Sequence, residues 1–122
     1  MKGADLLADA DPPSPEDLAA WRQAAHTGDG APWLRAGSAE ALARFAAARG
    51  EGVSMMEAAA LTLREPPRDI GWEIIGADAP GENWEDHRDP ARALSLVLRK
   101  LAQARRYGVR LQYKIWLRAA GR

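Results

Sequence analysis

Residues 89–118 read DPARALSLVLRKLAQARRYGVRLQYKIWLR: a capped helix, a glycine stop and an alternating strand in one run. Asp89 suits an N-cap, and Pro90 suits the first helical position, where its missing N–H removes no helical bond. Leu94, Leu98 and Leu101 recur at helical spacing, with Val97 and Ala104 beside them. Gly108 is placed to stop the helix. From Val109 to Arg118 the period changes to two. Val109, Leu111, Tyr113, Ile115 and Leu117 fall on one side, and Arg110, Gln112, Lys114, Trp116 and Arg118 on the other. A strong helix running into a strong strand predicts an α+β domain.

Working outward, Trp72-Glu73-Ile74-Ile75 is a short apolar strand candidate, joined to the helix by the acidic loop GADAPGENWEDHRD at residues 76–89. Before Pro66-Pro67 three helices are expected. Ser14-Pro15-Glu16-Asp17 is a cap, a first-position proline and two dipole-compensating acids. Leu18, Trp21 and Ala25 follow on one face, and Thr27–Gly30 ends the element. A second helix is expected from Ser38 to about Arg49, with Leu42, Phe45 and Ala46 inside. A third is expected from Ser54, where Ser54-x-x-Glu57 fits a capping box, through Met55, Ala59 and Leu63. The expected plan is a tail at residues 1–13 and one domain at 14–122. That domain comprises N-terminal helices (14–66) packed with a small C-terminal strand–helix–strand unit (70–122). Two strands make a marginal sheet. A third would come from Trp33–Arg35 or from a second copy of the chain, so a homodimer is one expectation.

At 122 residues the chain has room for one core. That core is thin in aliphatics: Ala supplies 26 residues, whereas Leu, Ile, Val and Phe together supply 21. Five Trp offset this, since each can bury ~150–250 Å². There is no Cys, which excludes disulfides, thiolate zinc sites and thiol nucleophiles. No apolar run is long enough for a membrane span or a signal-peptide core, so a cytoplasmic protein without membrane contact is expected.

The formal net charge is zero, but the charges are segregated. Residues 1–89 hold all seventeen acids and eight bases, and residues 90–122 hold nine bases and no acid. On the C-terminal helix Arg92, Arg99 and Arg106 are seven apart, so they share a stripe, with Lys100 close by. On the strand, Arg110, Lys114 and Arg118 alternate into one face with Trp116. Guanidiniums grip phosphates and an indole can stack on an unpaired base. The set predicts a non-enzymatic protein that binds nucleic acid or a nucleoprotein. Solvation of polar faces, or pairing with the acidic half, would account for the same charges.

A different reading uses the acidic loop. Glu82, Trp84, Glu85 and Asp86 form an epitope suited to a basic protein surface, as in an inhibitor or adaptor. The same loop, with Asp78, His87 and Asp89, has oxygen ligands for a hard cation but lacks calcium-loop spacing. No cofactor is expected. A metal-dependent hydrolase would need Asp78 with Glu82 or Asp89 brought to Gln112 and Lys114, and no spacing fixes that arrangement. Residues 39–64 have the glycine turn of a helix–turn–helix, or of half a ribbon–helix–helix. A single base, Arg64, on the second helix is poor equipment for reading DNA.

Overall fold

The computed structural model describes residues 13–60, 68–73, 84–106 and 111–119; for residues 60, 68–73, 85, 86, 105 and 106 it describes the backbone alone. The described chain is an α+β fold. Its elements run α1 (Pro15–Ala25), β1 (Leu34–Arg35), α2 (Ala36–Ala48), β2 (Gly52–Ala60), β3 (Arg68–Glu73), a 3₁₀ turn (Trp84–His87), α3 (Pro90–Arg106) and β4 (Leu111–Arg118). The strands form one sheet in the order β1-β4-β2-β3, with every neighbouring pair antiparallel. Two β–α–β units are thus interleaved. α2 connects β1 to β2 across β4, and α3 connects β3 to β4 across β2.

Local chemistry explains most of the ends. Ser14 and Asp17 form a reciprocal capping box at α1: the Asp17 N–H donates to Ser14 Oγ (3.0 Å) and the Ser14 N–H to Asp17 Oδ2 (3.2 Å). At α3 the Arg92 N–H donates to Asp89 Oδ2 at 3.1 Å, as the Asp-Pro start predicts. β4 has the expected period of two: Leu111, Tyr113, Ile115 and Leu117 are buried, and the residues between them are half-buried.

The expected third strand exists within the chain. Leu34 and Arg35 pair with Tyr113 and Gln112. This moves the start of α2. The helix begins at Ala36 directly from the strand, with Arg35 as an N-cap that makes no side-chain cap bond, so Ser38 lies inside the helix.

The helix expected from Ser54 is instead β2, the sheet's central partner to β4. The helix–turn–helix and ribbon–helix–helix readings of residues 39–64 fall with it, because residues 52–60 are extended. The β2–β4 register slips between Val53 and Met55, and Val53, Met56, Ala58 and Ala59 are all buried, so no clean period of two runs through the strand. The Ser54–Glu57 spacing and the Met55–Ala59 step that suggested a capped helix fall within this strand.

The core lies between the sheet and the helices. Ala39, Leu42, Ala43 and Ala46 of α2 and Ala93, Leu96, Val97, Leu101 and Ala104 of α3 meet Val53, Met56 and Ala58 of β2 and the odd-numbered residues of β4. The inner stripe of α3 is therefore centred on Leu96–Val97, and Leu94 and Leu98 are half-buried at its flanks. Phe45 is likewise at the flank of α2, where the Arg49 guanidinium covers its ring at 3.5 Å.

Candidate interaction surface on the sheet

Strand pleating divides the expected basic site into two separate surfaces. β4 turns Leu111, Tyr113, Ile115 and Leu117 toward the helices, so Gln112, Lys114, Trp116 and Arg118 lie on the opposite side of the sheet. Arg92 and Arg99 are exposed on the solvent side of α3, which packs on the first side, with Lys100 half-buried near them. The arginines of the helix and the cations of the strand therefore do not form one face. Arg110 lies outside the described residues, and the side chain of Arg106 is not among those described.

The outer sheet side gains Arg35 from β1 and Trp33 from just before it. Register places Arg35 opposite Gln112 on that side, and Leu34 opposite Tyr113 in the core. Trp33, one residue before Leu34, returns to the outer side. Lys114 Nζ is 5.8 Å from the Trp33 ring centroid, within cation–π range. Trp33, Arg35, Gln112, Lys114, Trp116 and Arg118 are all half-buried. Among the described residues neither Arg35 nor Lys114 has a carboxylate within ion-pair distance. Glu57 is the register partner of Lys114, yet Lys114 leans to Trp33 and forms no salt bridge with it.

Trp116 is fixed rather than offered. Its indole N–H donates to the Gly28 carbonyl at 2.9 Å. Gly30, at φ +75°, lies so close that an added Cβ would be 2.7 Å from the ring. The turn between α1 and β1 thus clasps one edge of this indole.

The acidic epitope changes character as well. Trp84 is 2% exposed and belongs to the core cluster, and His87 is 5% exposed. The expectation that Trp84 anchors a partner is therefore corrected: its indole fills the interior beside α3. Glu82 lies outside the described residues, as does Asp78, and the side chains of Glu85 and Asp86 are not described. Among the described residues no three His, Asp or Glu side chains are placed to hold a metal ion. Among them, too, no helix is long and apolar enough to cross a membrane.

One ionic cluster escapes sequence reading. Glu51, 9% exposed, lies in the turn between α2 and β2. Arg22 Nε donates to its Oε1 at 2.8 Å, Arg22 Nη2 donates to Oε2, and His26 Nε2 lies 3.2 Å from Oε1. The hydrogen bond from Arg22 lowers the Glu51 pKa; burial opposes this and the His26 contact adds to it. The same bond raises the Arg22 pKa. The cluster ties the end of α1 to the entry of β2. No local motif signals it, because 29 residues separate Arg22 from Glu51.

Comparison with models of known families, with curated proteins and with solved structures finds no significant match to this chain.

Proposed function

We propose that this chain is a non-enzymatic binding protein whose outer sheet face engages nucleic acid. One observation carries the reading: Trp33, Arg35 and Lys114 lie together on the side of the sheet away from the helices, with neither cation paired to a carboxylate among the described residues. Half-buried cations with no ion pair keep their electrostatic capacity for an outside anion, and desolvated surroundings weaken screening. Arg118 extends the same face along β4. Arg92 and Arg99, on the far side of the helices, are a separate surface and are not needed for this contact.

The rival use of the acidic loop is less favoured, since an epitope without an exposed Trp84 has lost its strongest anchor. The test is the salt dependence of affinity. Two or three cations on the phosphates of a single strand predict that log K falls with log salt at a slope near −1.4 to −2. Arg35→Ala combined with Lys114→Ala should lower that slope, whereas Arg92→Ala should leave it unchanged. Absence of binding at low salt, or a slope carried by Arg92, would overturn the proposal.

A further inference from the structure

The geometry points to a single-strand site at the β1–β4 corner, in which Trp33 stacks on an unpaired base and Arg35 and Lys114 take the flanking phosphates. The inference rests on the nucleic-acid reading above and specifies the form of the ligand.

Three observations carry it. First, the two tryptophans of this face are not equivalent. Trp116 is clasped by Gly28 and Gly30, with its N–H already donated. At Trp33, by contrast, the Lys114 ammonium lies 5.8 Å from the ring centroid. A half-buried indole whose companion is a cation on a flexible stem can exchange that cation for a base, which stacks on the same π-surface.

Second, the cations bracket that indole. Arg35 is two residues along the chain from Trp33, on the same side of the sheet, and it lies diagonally from Lys114 across the β1–β4 pair. Diagonal neighbours in a sheet are roughly 7–8 Å apart. When Lys114 leaves the ring it remains within reach of a phosphate next to the stacked base, and the planar Arg35 fork can take another on the far side.

Third, the charge on this side is graded. Arg35 and Lys114 belong to β1 and β4, whereas Glu57, the register partner of Lys114, is on β2. A polyanion is favoured along the β1–β4 edge and repelled on the β2 side of it. A narrow, one-sided track fits a single strand better than a duplex, which would extend over Glu57.

Fluorescence anisotropy on the full chain tests this. The probes are a labelled oligothymidylate about a dozen nucleotides long and the duplex it forms with its complement. At equal low salt the single strand should bind at least about tenfold more tightly. Trp33→Leu, which keeps an apolar side chain but removes the stacking surface, should weaken single-strand binding by roughly 5- to 100-fold, and Trp33→Phe should retain most of it. Urea unfolding of both variants verifies that they fold. Folded Trp33→Leu protein with unchanged affinity, or equal binding of single strand and duplex, would overturn the Trp33 site while leaving the broader reading standing. No binding to either probe would overturn the broader reading itself.

Discussion

Replacing Gly30 with alanine tests how the turn after α1 is held against the sheet. Gly30 has φ +75°, and an alanine there adopts the left-handed region at a cost of about 1–2 kcal/mol. The added Cβ would also lie 2.7, 2.9 and 3.0 Å from Trp116 Cε2, Nε1 and Cδ2. The ring cannot yield cheaply, because β4 is paired on both sides and the indole N–H is bonded to Gly28. Losing that bond costs about 0.5–1.5 kcal/mol more. Alanine loses less chain entropy on folding than glycine, which returns about 0.4–1 kcal/mol. The net loss is about 0.5–3 kcal/mol.

Urea unfolding measures it directly, as a midpoint lowered by about 0.3–1.5 M if the slope is about 2 kcal/mol per M. Gly28→Ala is the internal control. Gly28 has no atom within 4 Å of an added Cβ and no positive φ, so its substitution should stay within about 0.5 kcal/mol of the parent. A double-mutant cycle separates the two costs. In a Trp116→Leu background the clash is gone and only the backbone term of about 1 kcal/mol should remain. Equal effects of Gly28→Ala and Gly30→Ala, or no effect of the latter, would refute the clasp.

Other substitutions probe the remaining contacts. Trp84→Ala should destabilise the fold by about 3–5 kcal/mol in thermal or urea unfolding, because its indole is core; an unmoved midpoint would return it to the surface. Gly52→Ala places a Cβ 2.9 Å from the Arg88 carbonyl oxygen, a backbone atom, and should lower stability by about 1–3 kcal/mol. Glu51→Gln should weaken the Arg22 clasp by about 1–2 kcal/mol near neutral pH. Because the folded Glu51 pKa is depressed, its stabilisation is complete above the ordinary carboxylate range near about 4.3 and disappears as pH falls through the lower folded value. The parent should therefore lose stability on acidification more steeply than Glu51→Gln in that window. Parallel curves would remove Glu51 from the acid response.

What the sequence conveyed depended on whether the structural reason was local. The caps at Ser14 and Asp89, the start of α3 and the alternation of β4 are set by neighbours within four residues, and all were legible. β2 was not. Its sequence, GVSMMEAAA, combines good helix formers with a register slip that breaks the period of two, and only pairing with β4 makes it a strand. The candidate interaction face was half legible. Lys114 and Arg118 follow from β4 alone, but Trp33 and Arg35 join them only once Leu34 is known to pair with Tyr113. Alternation through Trp33-Leu34-Arg35 carried that signal, over a segment too short to weigh. The burial of Trp84 and the Arg22–Glu51 link depend on distant packing, and no pattern in the chain announces either.

Segregation of charge along the chain does not become segregation in space, and the topology explains why. β4 comes from the wholly basic end, yet it is inserted between β1 and β2, both from the acid-bearing part. Lys114 thereby becomes the register neighbour of Glu57, while Gln112 is flanked by Arg35. α3 packs on the opposite side of the sheet, so Arg92 and Arg99 are separated from Lys114 by the core. The nine C-terminal bases are thus not one electrode. A ligand bound as proposed on the sheet face would engage Arg35, a residue from the acid-rich part, and leave Arg92 untouched. Counting bases on the last 33 residues would overstate the phosphate contacts of that ligand, and the shallow salt slope expected above is the measurable consequence.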